Sequence, residues 1–577
     1  MSRESIENTK FGPPYAVINL SKIGMRYFRL FIKATPSSKK ILIDNFINHP
    51  NVGWIFSAKG WFNLGIGLWA KDNAEIIDIS SAIRNILTKK DEIIYQSELT
   101  TLYGFGNRPV TGKGKEMRIV DAVTQPNELD HLSIDYLKLL TIDSSLSKKE
   151  FSEILGVSES EINRLNQTLK EVGVVVGHQD RMNYSGKYFK VLIDTTSRKN
   201  NYRIDELVKS LWVDNHCIYF ERANGKYDLE FEIILKNKSE LKQYLKHFSI
   251  FKIAELTENL YTNLFPLNKT ANLKEIRDTV FGQEGEVIDL RNSKLWYLNY
   301  EGVNAYINIY ENKKYMETME MSEIVLFDDI ISYINSTFPG QTLDIIDLGS
   351  GDGLKGKIFI EKIGEKNVKA YYPVDIQPIE LASVLNVHKD GAYALHPTLL
   401  GFENLSSRFP LNVLPGEKQV FIFLGGTYGN YRNEKINSYI RGLANDNAMV
   451  IISMPIIVEG KSNSEIIDSY TNKSVENIAF GPLMQVGFKK NDFVPNRRNK
   501  NLIVHLDIED SRLVSTLILA KEAKILGRIF TKNTVFKMTT SWKPTVEEFK
   551  KALELDFKIE KMFTNKDMAV AIISKKN

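Results

Sequence analysis

The sequence contains very little cysteine or histidine. Among its 577 residues Cys217 is the one cysteine, so the chain cannot form an internal disulfide framework or a cysteine-rich zinc site. Its eight histidines are scattered and form no HxxxH or HExxH pair, the spacing that binds a catalytic metal on a helix. We therefore expect chemistry that does not use a protein-bound metal.

Long apolar runs and excess charge of one sign are also lacking. No apolar run approaches about 18 residues, and the polar start MSRESIENTKFGPP has no signal-peptide pattern, so we expect a cytoplasmic protein with no membrane partner. The 75 basic and 71 acidic residues give a net charge of +4, which provides no global attraction to nucleic acid. A chain of this length is expected to fold as about three or four domains.

The N-terminal half contains an internal repeat. Residues 27–33 read YFRLFIK and residues 188–194 read YFKVLID. Each is followed by a segment that turns and then alternates, KGWFNLGIGLWAK at 59–71 and NGKYDLEFEIILK at 224–236, the period-two pattern of a half-buried antiparallel strand. A polar helical stretch follows each of them. The pattern predicts a ferredoxin-like β-α-β-β-α-β arrangement in each copy.

A short helical segment lies between the two copies. FSEILGVSESEINRLNQTLKEVGVV contains a turn at Gly156 and a stop at Gly173, and Ser147-Lys-Lys-Glu150 and Ser158-Glu-Ser-Glu161 both have the capping-box pattern. This predicts a winged helix-turn-helix.

The charges of this motif do not favour DNA strongly. Its second helix begins with Glu159 and Glu161, which would repel phosphate, and its cations are Arg164 and Lys170. The preceding linker adds three cations that would suit a phosphate backbone, Lys113, Lys115 and Arg118. DNA binding and a purely structural or dimerising role both remain open.

Residues 15–265 together resemble the Lrp/AsnC feast/famine transcription regulators. The resemblance implies a helix-turn-helix joined to dimerising, amino-acid-sensing domains, and hence a homodimer or higher homo-oligomer. The order of the domains is unusual, because no helix-turn-helix precedes the first copy. Only a short wing-like segment, YAVINLSKIGM, is present there. We expect a sensing domain over 1–108, a linker over 109–130, the winged helix-turn-helix over 131–180 and a second sensing domain over 181–266.

The C-terminal half has the pattern of an open, parallel α/β sheet. LDIIDLGSGDG at 343–353 runs from an apolar strand into a glycine-rich turn, and AYYPVDIQ ends a second strand at Asp375, an acid suited to ribose hydroxyls. Two further strands follow, VFIFLGGTYGNY and AMVIISMP. The glycine loop lacks the P-loop lysine pattern and completes only part of GxGxxG, so neither a P-loop nor a standard NAD site is indicated.

DLGSGDGLK, YYPVDI and FLGGTYGN closely resemble motifs of the histidine-specific Nα-methyltransferases of ergothioneine biosynthesis. The resemblance implies a Rossmann-like, class I domain over 280–577 that uses S-adenosylmethionine. It assigns the cofactor to Gly349, Ser350, Gly351, Lys355, Asp375, Phe402 and Gly425. The family's Asp before the phenylalanine is Gly401 here, so the adenine amine would need another acceptor, such as Glu403 or a backbone carbonyl.

The same resemblance assigns substrate residues. Asn430 and Tyr470 match an asparagine and a tyrosine that bind the amino acid, and we expect them to be the catalytic pair; Tyr315 falls near a third tyrosine. Where the family presents Glu and Ser to the imidazole, the alignment gives Lys537 and Thr539. Because lysine suits an acidic partner, we expect an amino acid or related small amine other than histidine as acceptor.

Structural alternatives stand beside these assignments. Asn430 would serve as a turn residue, Tyr470 as a packing residue, and Lys537 as a solvated strand residue. The function also has alternatives: a transcription regulator that senses S-adenosylmethionine without turnover, or a methyltransferase acting on a macromolecule.

Overall fold

The structure is a computed structural model with two compact units, 1–267 and 268–577. It describes residues 8–47, 49–108, 116–121, 125–184, 186–195, 204–246, 251–266, 273–298, 302, 305–306, 320–405, 418–443, 447–457, 463–470, 473–495, 501–507 and 511–576. Within these ranges no helix is long and apolar enough to cross a membrane. Tyr315, Lys113 and Lys115 lie outside the described residues, as does the side chain of Glu403.

The first unit alternates strands and helices in the order that the repeat predicts. Its strands are β1 Asn8–Lys10, β2 Tyr15–Ile18, β3 Arg26–Lys33, β4 Val52–Gly60, β5 Leu64–Ala70, β6 Glu92–Gly104, β7 Met117–Val120, β8 Val175–Gln179, β9 Met182–Tyr184, β10 Lys187–Ile193, β11 Cys217–Asn224, β12 Leu229–Leu235 and β13 Phe251–Thr262. Its helices are α1 Pro36–Phe46, α2 Asn73–Ile86, α3 His131–Ile142, α4 Lys148–Leu155, α5 Glu159–Glu171, α6 Ile204–Val213 and α7 Lys238–Leu245.

The two repeats share one nine-stranded sheet. Its order is β11-β12-β10-β13-β4-β5-β3-β6-β7, and an additional pairing of β6 with β11 closes it on itself, so that every strand except β7 belongs to a ring. The last strand of each repeat pairs with the second strand of the other, β13 with β4 and β6 with β11. The two copies are therefore joined by reciprocal strand pairings within one chain.

Charged side chains are buried inside this ring. Arg29 on β3 and Lys190 on β10 occupy corresponding positions of the two repeats and are buried. Arg29 forms ion pairs with Glu221 and Glu230, while Lys190 pairs with those two acids and with Glu232. Since Arg29 comes from the first repeat and its partners from the second, the charge balance of the interior depends on both copies.

Helices α3–α5 and strands β8 and β9 form the segment between the repeats. The N-terminal strands complete it, because β2 pairs with β8 and β1 pairs with β9. The capping box at Ser147 and Glu150 is present. The one predicted at Ser158 is only half formed: Ser158 accepts from the backbone of Glu161, but the Glu161 side chain pairs with Arg164 at 2.6 Å instead of reaching back. A nearby guanidinium is a stronger partner for the carboxylate than the N-cap amide.

The described residues of the second unit form three sheets, the smallest of them the hairpin of β23 and β24, and the remaining helices. Its strands are β14 Val287–Asp289, β15 Leu343–Leu348, β16 Val368–Asp375, β17 Ala394–Leu395, β18 Thr398–Leu399, β19 Lys418–Phe423, β20 Ala448–Pro455, β21 Ile503–Asp507, β22 Arg512–Ile518, β23 Ala523–Ile525, β24 Arg528–Phe530, β25 Val535–Trp542, β26 Phe557–Thr564 and β27 Met568–Lys575. Its helices are α8 Leu273–Phe281, α9 Ser293–Tyr297, α10 Met321–Val325, α11 Phe327–Thr337, α12 Leu354–Ile363, α13 Pro378–Val387, α14 Asn433–Arg441, α15 Asn463–Ser469, α16 Lys473–Gln485 and α17 Val546–Glu554.

The largest sheet of this unit positions the residues of the candidate active site. Its order is β17-β16-β15-β19-β20-β27-β26, parallel from β17 to β20 and antiparallel at β27 and β26. Strands β15, β19 and β20 are buried on both faces, as expected for a parallel sheet covered by helices. The carboxyl ends of β15, β16, β19 and β20 consequently meet at one edge, the position where open α/β sheets bind ligands. A second sheet, β14-β25-β22-β21, contains strand β25, on which the sequence places Lys537 and Thr539.

Candidate active site

The glycine-rich turn follows β15 and is tied to the neighbouring strand. The backbone N–H groups of Gly349 and Ser350 donate to the carbonyl of Val374 at 2.8 and 3.2 Å. Gly349 has a φ of +74°, and a Cβ there would lie 3.3 Å from the Phe402 ring. The Ser350 hydroxyl oxygen is buried and has no hydrogen-bond partner among the described residues. The turn thus leaves a backbone surface and one free hydroxyl at the sheet edge.

Asp375 lies at the end of β16 beside this turn. Its carboxylate accepts from the backbone of Gly351 at 3.1 Å and of Gln377 at 2.9 Å. Burial raises the pKa of this carboxyl to about 6, although these hydrogen bonds act to lower it. Gly351 and Asp375, which the sequence placed in one cofactor site, are therefore in direct contact.

Phe402 connects the turn to the loop that follows β19. Its ring lies 5.1 Å from that of Phe423 and 5.9 Å from that of Tyr431, centre to centre, and it covers Gly349. An aromatic face beside the glycine turn is a suitable platform for a flat heterocycle.

Lys355, at the start of α12, is engaged by two acids that the sequence did not reveal. It pairs with Glu323 at 3.0 Å and with Glu320 at 3.3 Å. The fully buried Glu323 carboxylate also accepts from the backbone of Gly425 at 2.8 Å and from the Ser453 hydroxyl. Glu323 thereby joins the start of α12 to the ends of β19 and β20. It was missed because it lies in a helix without a recognisable motif.

The backbone conformation of Gly425 favours glycine. Its φ is +76°, and a Cβ at this position would lie 2.8 Å from the Lys355 ammonium nitrogen. The absence of a side chain at Gly425 thus leaves room for the Lys355 ammonium at the end of β19.

The loop that carries Asn430 is held by Arg512, a second residue that the sequence did not single out. From β22, the guanidinium donates to the carbonyls of Gly429 at 3.0 Å and Tyr431 at 2.8 Å, and to the Asn433 side chain at 3.2 Å. These two carbonyls flank Asn430 on both sides. Arg512 is itself buried, so this clamp is shielded from water.

Tyr470 contacts the far end of β25. Its hydroxyl lies 3.2 Å from the Ser541 hydroxyl, and the Lys543 ammonium lies 4.7 Å from the centre of its ring. These two residues are not the ones that the sequence alignment placed beside the substrate.

Lys537 and Thr539, the predicted side-chain readers, precede Ser541 on strand β25, and Lys543 directly follows this strand. The Thr539 hydroxyl is hydrogen-bonded to Ser515, and Lys537 lies opposite Asp289 of β14. Burial acts to raise the pKa of the Asp289 carboxyl, but Arg291 and, to a smaller extent, Lys537 hold it below its usual value. Four residues of strand span roughly 13 Å. The described contacts thus bring Ser541 and Lys543, rather than Lys537, to Tyr470.

Comparison with known proteins indicates which reaction this site serves. Residues 290–575 match the family described as histidine-specific methyltransferase, SAM-dependent. The protein is an S-adenosylmethionine-dependent methyltransferase. The family match covers the second unit from β15 to β27, including the sheet edge that carries Gly349, Asp375 and Asn430, and begins just after β14.

Further comparisons concern the N-terminal half of the chain and its similarity to solved structures. The N-terminal half is 25% identical over 121 residues to an uncharacterised HTH-type transcriptional regulator of Pyrococcus furiosus, covering 21% of this chain and 80% of the relative. Among solved structures, siroheme decarboxylase NirDL matches with a TM-score of 0.32 and 14% identity, over 43% of this chain and 76% of that one.

Two solved methyltransferases are also similar. One, from Clostridium acetobutylicum, gives a TM-score of 0.27 at 11% identity over 48% of this chain and 99% of its own. The other, magnesium protoporphyrin IX methyltransferase of Synechocystis with bound SAH, gives 0.28 at 12% identity over 50% and 99%.

The residues at the sheet edge fit S-adenosylmethionine. A turn open enough for close backbone approach, an unpartnered Ser350 hydroxyl, a carboxylate at the end of β16 and an aromatic ring meet there. These are the backbone, hydroxyl-reading and stacking groups that a nucleoside requires.

Proposed function

We propose that the methyltransferase half transfers a methyl group to the amino group of an amino acid or a related small amine. The single observation that carries this proposal is the position of Phe402, whose ring contacts both Gly349 and Tyr431. Asn430, the residue expected to hold the amine, immediately precedes Tyr431, whose ring packs on the Phe402 ring that covers the glycine turn.

Each residue would have a limited task. Gly349, Ser350, Gly351, Asp375 and Phe402 would hold the nucleoside, and the Lys355–Glu323 pair would hold the start of α12 against the end of β19. The cofactor supplies an already activated methyl group on a sulfonium. The protein's main contribution is then alignment of the acceptor, which is worth several orders of magnitude in rate.

Asn430 would orient the acceptor. Its side-chain carbonyl oxygen would accept a hydrogen bond from the amine, which must be neutral because an ammonium has no lone pair to donate. The Arg512 clamp fixes the backbone on both sides of Asn430 and so limits the directions in which its side chain can point.

We propose that the acceptor is not histidine. Strand β25, VFKMTTSW, contains no carboxylate that would read an imidazole. If the alignment is shifted by two residues, Ser541 takes the place of the family's serine and Thr539 that of its glutamate.

Mass spectrometry of a reaction with labelled S-adenosylmethionine and a panel of amino acids and amines tests this function. We expect a methylated small-molecule product with wild type and none with Asn430→Ala. Product that forms only when protein or RNA is added would refute it. Lys537→Glu and Thr539→Glu form a matched pair, and the one that moves preference toward histidine identifies the position that reads the side chain.

The N-terminal half is proposed to be a regulatory module of two ferredoxin-like domains and a winged helix-turn-helix. The distant likeness to an HTH-type regulator supports this proposal, as do the shared sheet and helices α3–α5. A DNA-reading role is less favoured, because Arg164 on α5 is already paired with Glu161 and Arg118 with Asp121. Gel-shift titration with and without S-adenosylmethionine would detect the alternative, a cofactor-sensing regulator.

A further inference from the structure

A histidine that the sequence did not single out lies against the end of the glycine-rich turn. His388 directly follows helix α13, and its residue is only 2% exposed. Its Nε2 atom lies 2.9 Å from the carbonyl oxygen of Gly353, the last residue before α12 begins, and its Nδ1 atom lies 2.5 Å from the Tyr393 hydroxyl. A side chain at the end of α13 therefore reaches the point at which the turn becomes a helix.

These hydrogen bonds fix the tautomer of the ring. A carbonyl oxygen can only accept, so Nε2 carries the hydrogen and donates to Gly353, while Nδ1 accepts from the Tyr393 hydroxyl. Burial lowers the pKa of the imidazole to about 4, helped by the charge of Lys357 and opposed by the hydrogen bond to Gly353. The ring is consequently neutral at physiological pH, and both of its nitrogens have partners inside the protein. It is suited to holding a neighbouring group in place.

The same ring is also connected to the beginning of the turn. It stacks on the Tyr371 ring of β16, with 4.5 Å between the ring centres, and the Tyr371 hydroxyl donates to the carboxylate of Asp347 on β15 at 2.7 Å. Asp347 lies two residues before Gly349, and Gly353 ends the turn. One aromatic cluster therefore contacts both ends of the segment that is expected to hold the cofactor.

Close packing and backbone hydrogen bonds connect this end of the turn to the rest of it. Gly353 has a φ of +81°, and a Cβ there would lie 3.0 Å from both His388 Nε2 and the Val384 side chain of α13. Its N–H donates to the carbonyl of Ser350 at 3.1 Å, and its carbonyl also accepts from the backbone of Lys357 at 2.9 Å. A displacement of Gly353 would therefore also move Ser350, whose buried hydroxyl has no hydrogen-bond partner among the described residues.

We infer that His388 is a positioning residue for S-adenosylmethionine: it holds the carbonyl of Gly353 and thereby fixes the backbone of the glycine-rich turn in the shape that receives the cofactor. A turn that is ordered before binding avoids the entropic cost of ordering it when the ligand arrives. This inference goes beyond the proposed function, because it concerns the cofactor and is independent of the identity of the acceptor.

Two substitutions separate the two hydrogen bonds of the ring. In His388→Gln the amide nitrogen lies about as far along the side chain as Nε2 and can still donate to Gly353. In His388→Asn the shorter amide ends near the position of Nδ1, where it can bond to Tyr393 but cannot reach Gly353. Both variants lose the ring that stacks on Tyr371, so urea denaturation should show similar losses of stability.

Calorimetric titration of S-adenosylhomocysteine into the full-length variants is the decisive measurement. One hydrogen bond corresponds to roughly five- to tenfold in affinity, and we expect His388→Asn to bind more weakly than His388→Gln by about that factor. His388→Gln should stay within about threefold of wild type. Tyr393→Phe keeps the ring but removes the hydroxyl that orients it, and should weaken binding by about threefold. It provides the measurement if either histidine variant fails to fold.

Asp375→Ala is the reference variant, because it alters the cofactor site directly. Equal affinities of His388→Gln and His388→Asn at equal stability would overturn the positioning role of His388, as would an unchanged affinity in Tyr393→Phe. If Asp375→Ala also bound S-adenosylhomocysteine as tightly as wild type, the placement of the cofactor at this turn would be wrong together with the role of His388.

Discussion

Removing Arg512 should separate positioning of the acceptor from binding of the cofactor. In Arg512→Met the guanidinium that donates to Gly429, Tyr431 and Asn433 is lost, while the side-chain volume near Trp542 is largely kept. A misplacement of about 1 Å in a substrate-positioning group costs on the order of 100-fold in rate. We therefore expect kcat/KM to fall by about 100-fold, which corresponds to about 2.7 kcal/mol in activation free energy. Leaving the buried Gly429 carbonyl without a donor should also cost about 1–3 kcal/mol of stability.

Arg528 offers a matched control for this experiment. It too donates to two backbone carbonyls in the second unit, those of Val280 at 3.2 Å and Phe281 at 3.0 Å, but at the end of helix α8. Steady-state kinetics, S-adenosylhomocysteine titration and urea denaturation of Arg512→Met and Arg528→Met should show similar losses of stability. Only Arg512→Met should lose kcat, with cofactor affinity preserved in both. If the two variants had the same kcat, Arg512 would be a structural residue and the positioning argument would be wrong.

Three further perturbations test other parts of the structure. Gly349→Ala should weaken S-adenosylhomocysteine binding at least about tenfold, measured by calorimetry, because its φ of +74° strains alanine and the Cβ approaches Phe402; unchanged affinity would argue against the turn as the cofactor site. Cofactor affinity should fall as pH drops through about 6, where Asp375 becomes protonated, and Asp375→Asn should remove that dependence in titrations from pH 5 to about 8. Arg29→Met should destabilise the first unit by about 3–5 kcal/mol in denaturant melts by leaving buried acids unpaired, and a second change, Glu230→Gln, should recover part of the loss; a neutral Arg29→Met would mean that the charges are not coupled.

Local sequence patterns predicted most of the helices and strands but not which strands of the two repeats pair with each other. The alternation around Leu229 and Phe231 shows which residues face one side of the sheet, and the element order β-α-β-β-α-β is present in both copies. The pairing of β6 with β11 that closes the ring was not predicted, because alternation reports faces and carries no information about which edges meet.

The candidate active site, too, could be predicted from the sequence only in part. The contact of Gly351 with Asp375 could be anticipated, since carboxyl ends of parallel strands share an edge. The position of Ser541 beside Tyr470 could not, because a two-residue shift of β25 leaves the same residues on the same face and the pattern cannot distinguish Lys537 and Thr539 from Thr539 and Ser541. Glu323 contacts Gly425, 102 residues away in sequence, and Arg512 contacts Gly429, 83 residues away, and no local pattern encodes contacts of this range.

Calorimetric titration of S-adenosylhomocysteine into wild type and Asp375→Ala tests the central claim most directly. The account predicts saturable binding at one site per chain in wild type and at least about tenfold weaker binding in the variant, because the ribose hydroxyls lose their acceptor. No saturable binding in wild type, or equal affinity in the two proteins, would contradict the placement of the cofactor at the edge formed by β15, β16 and β19.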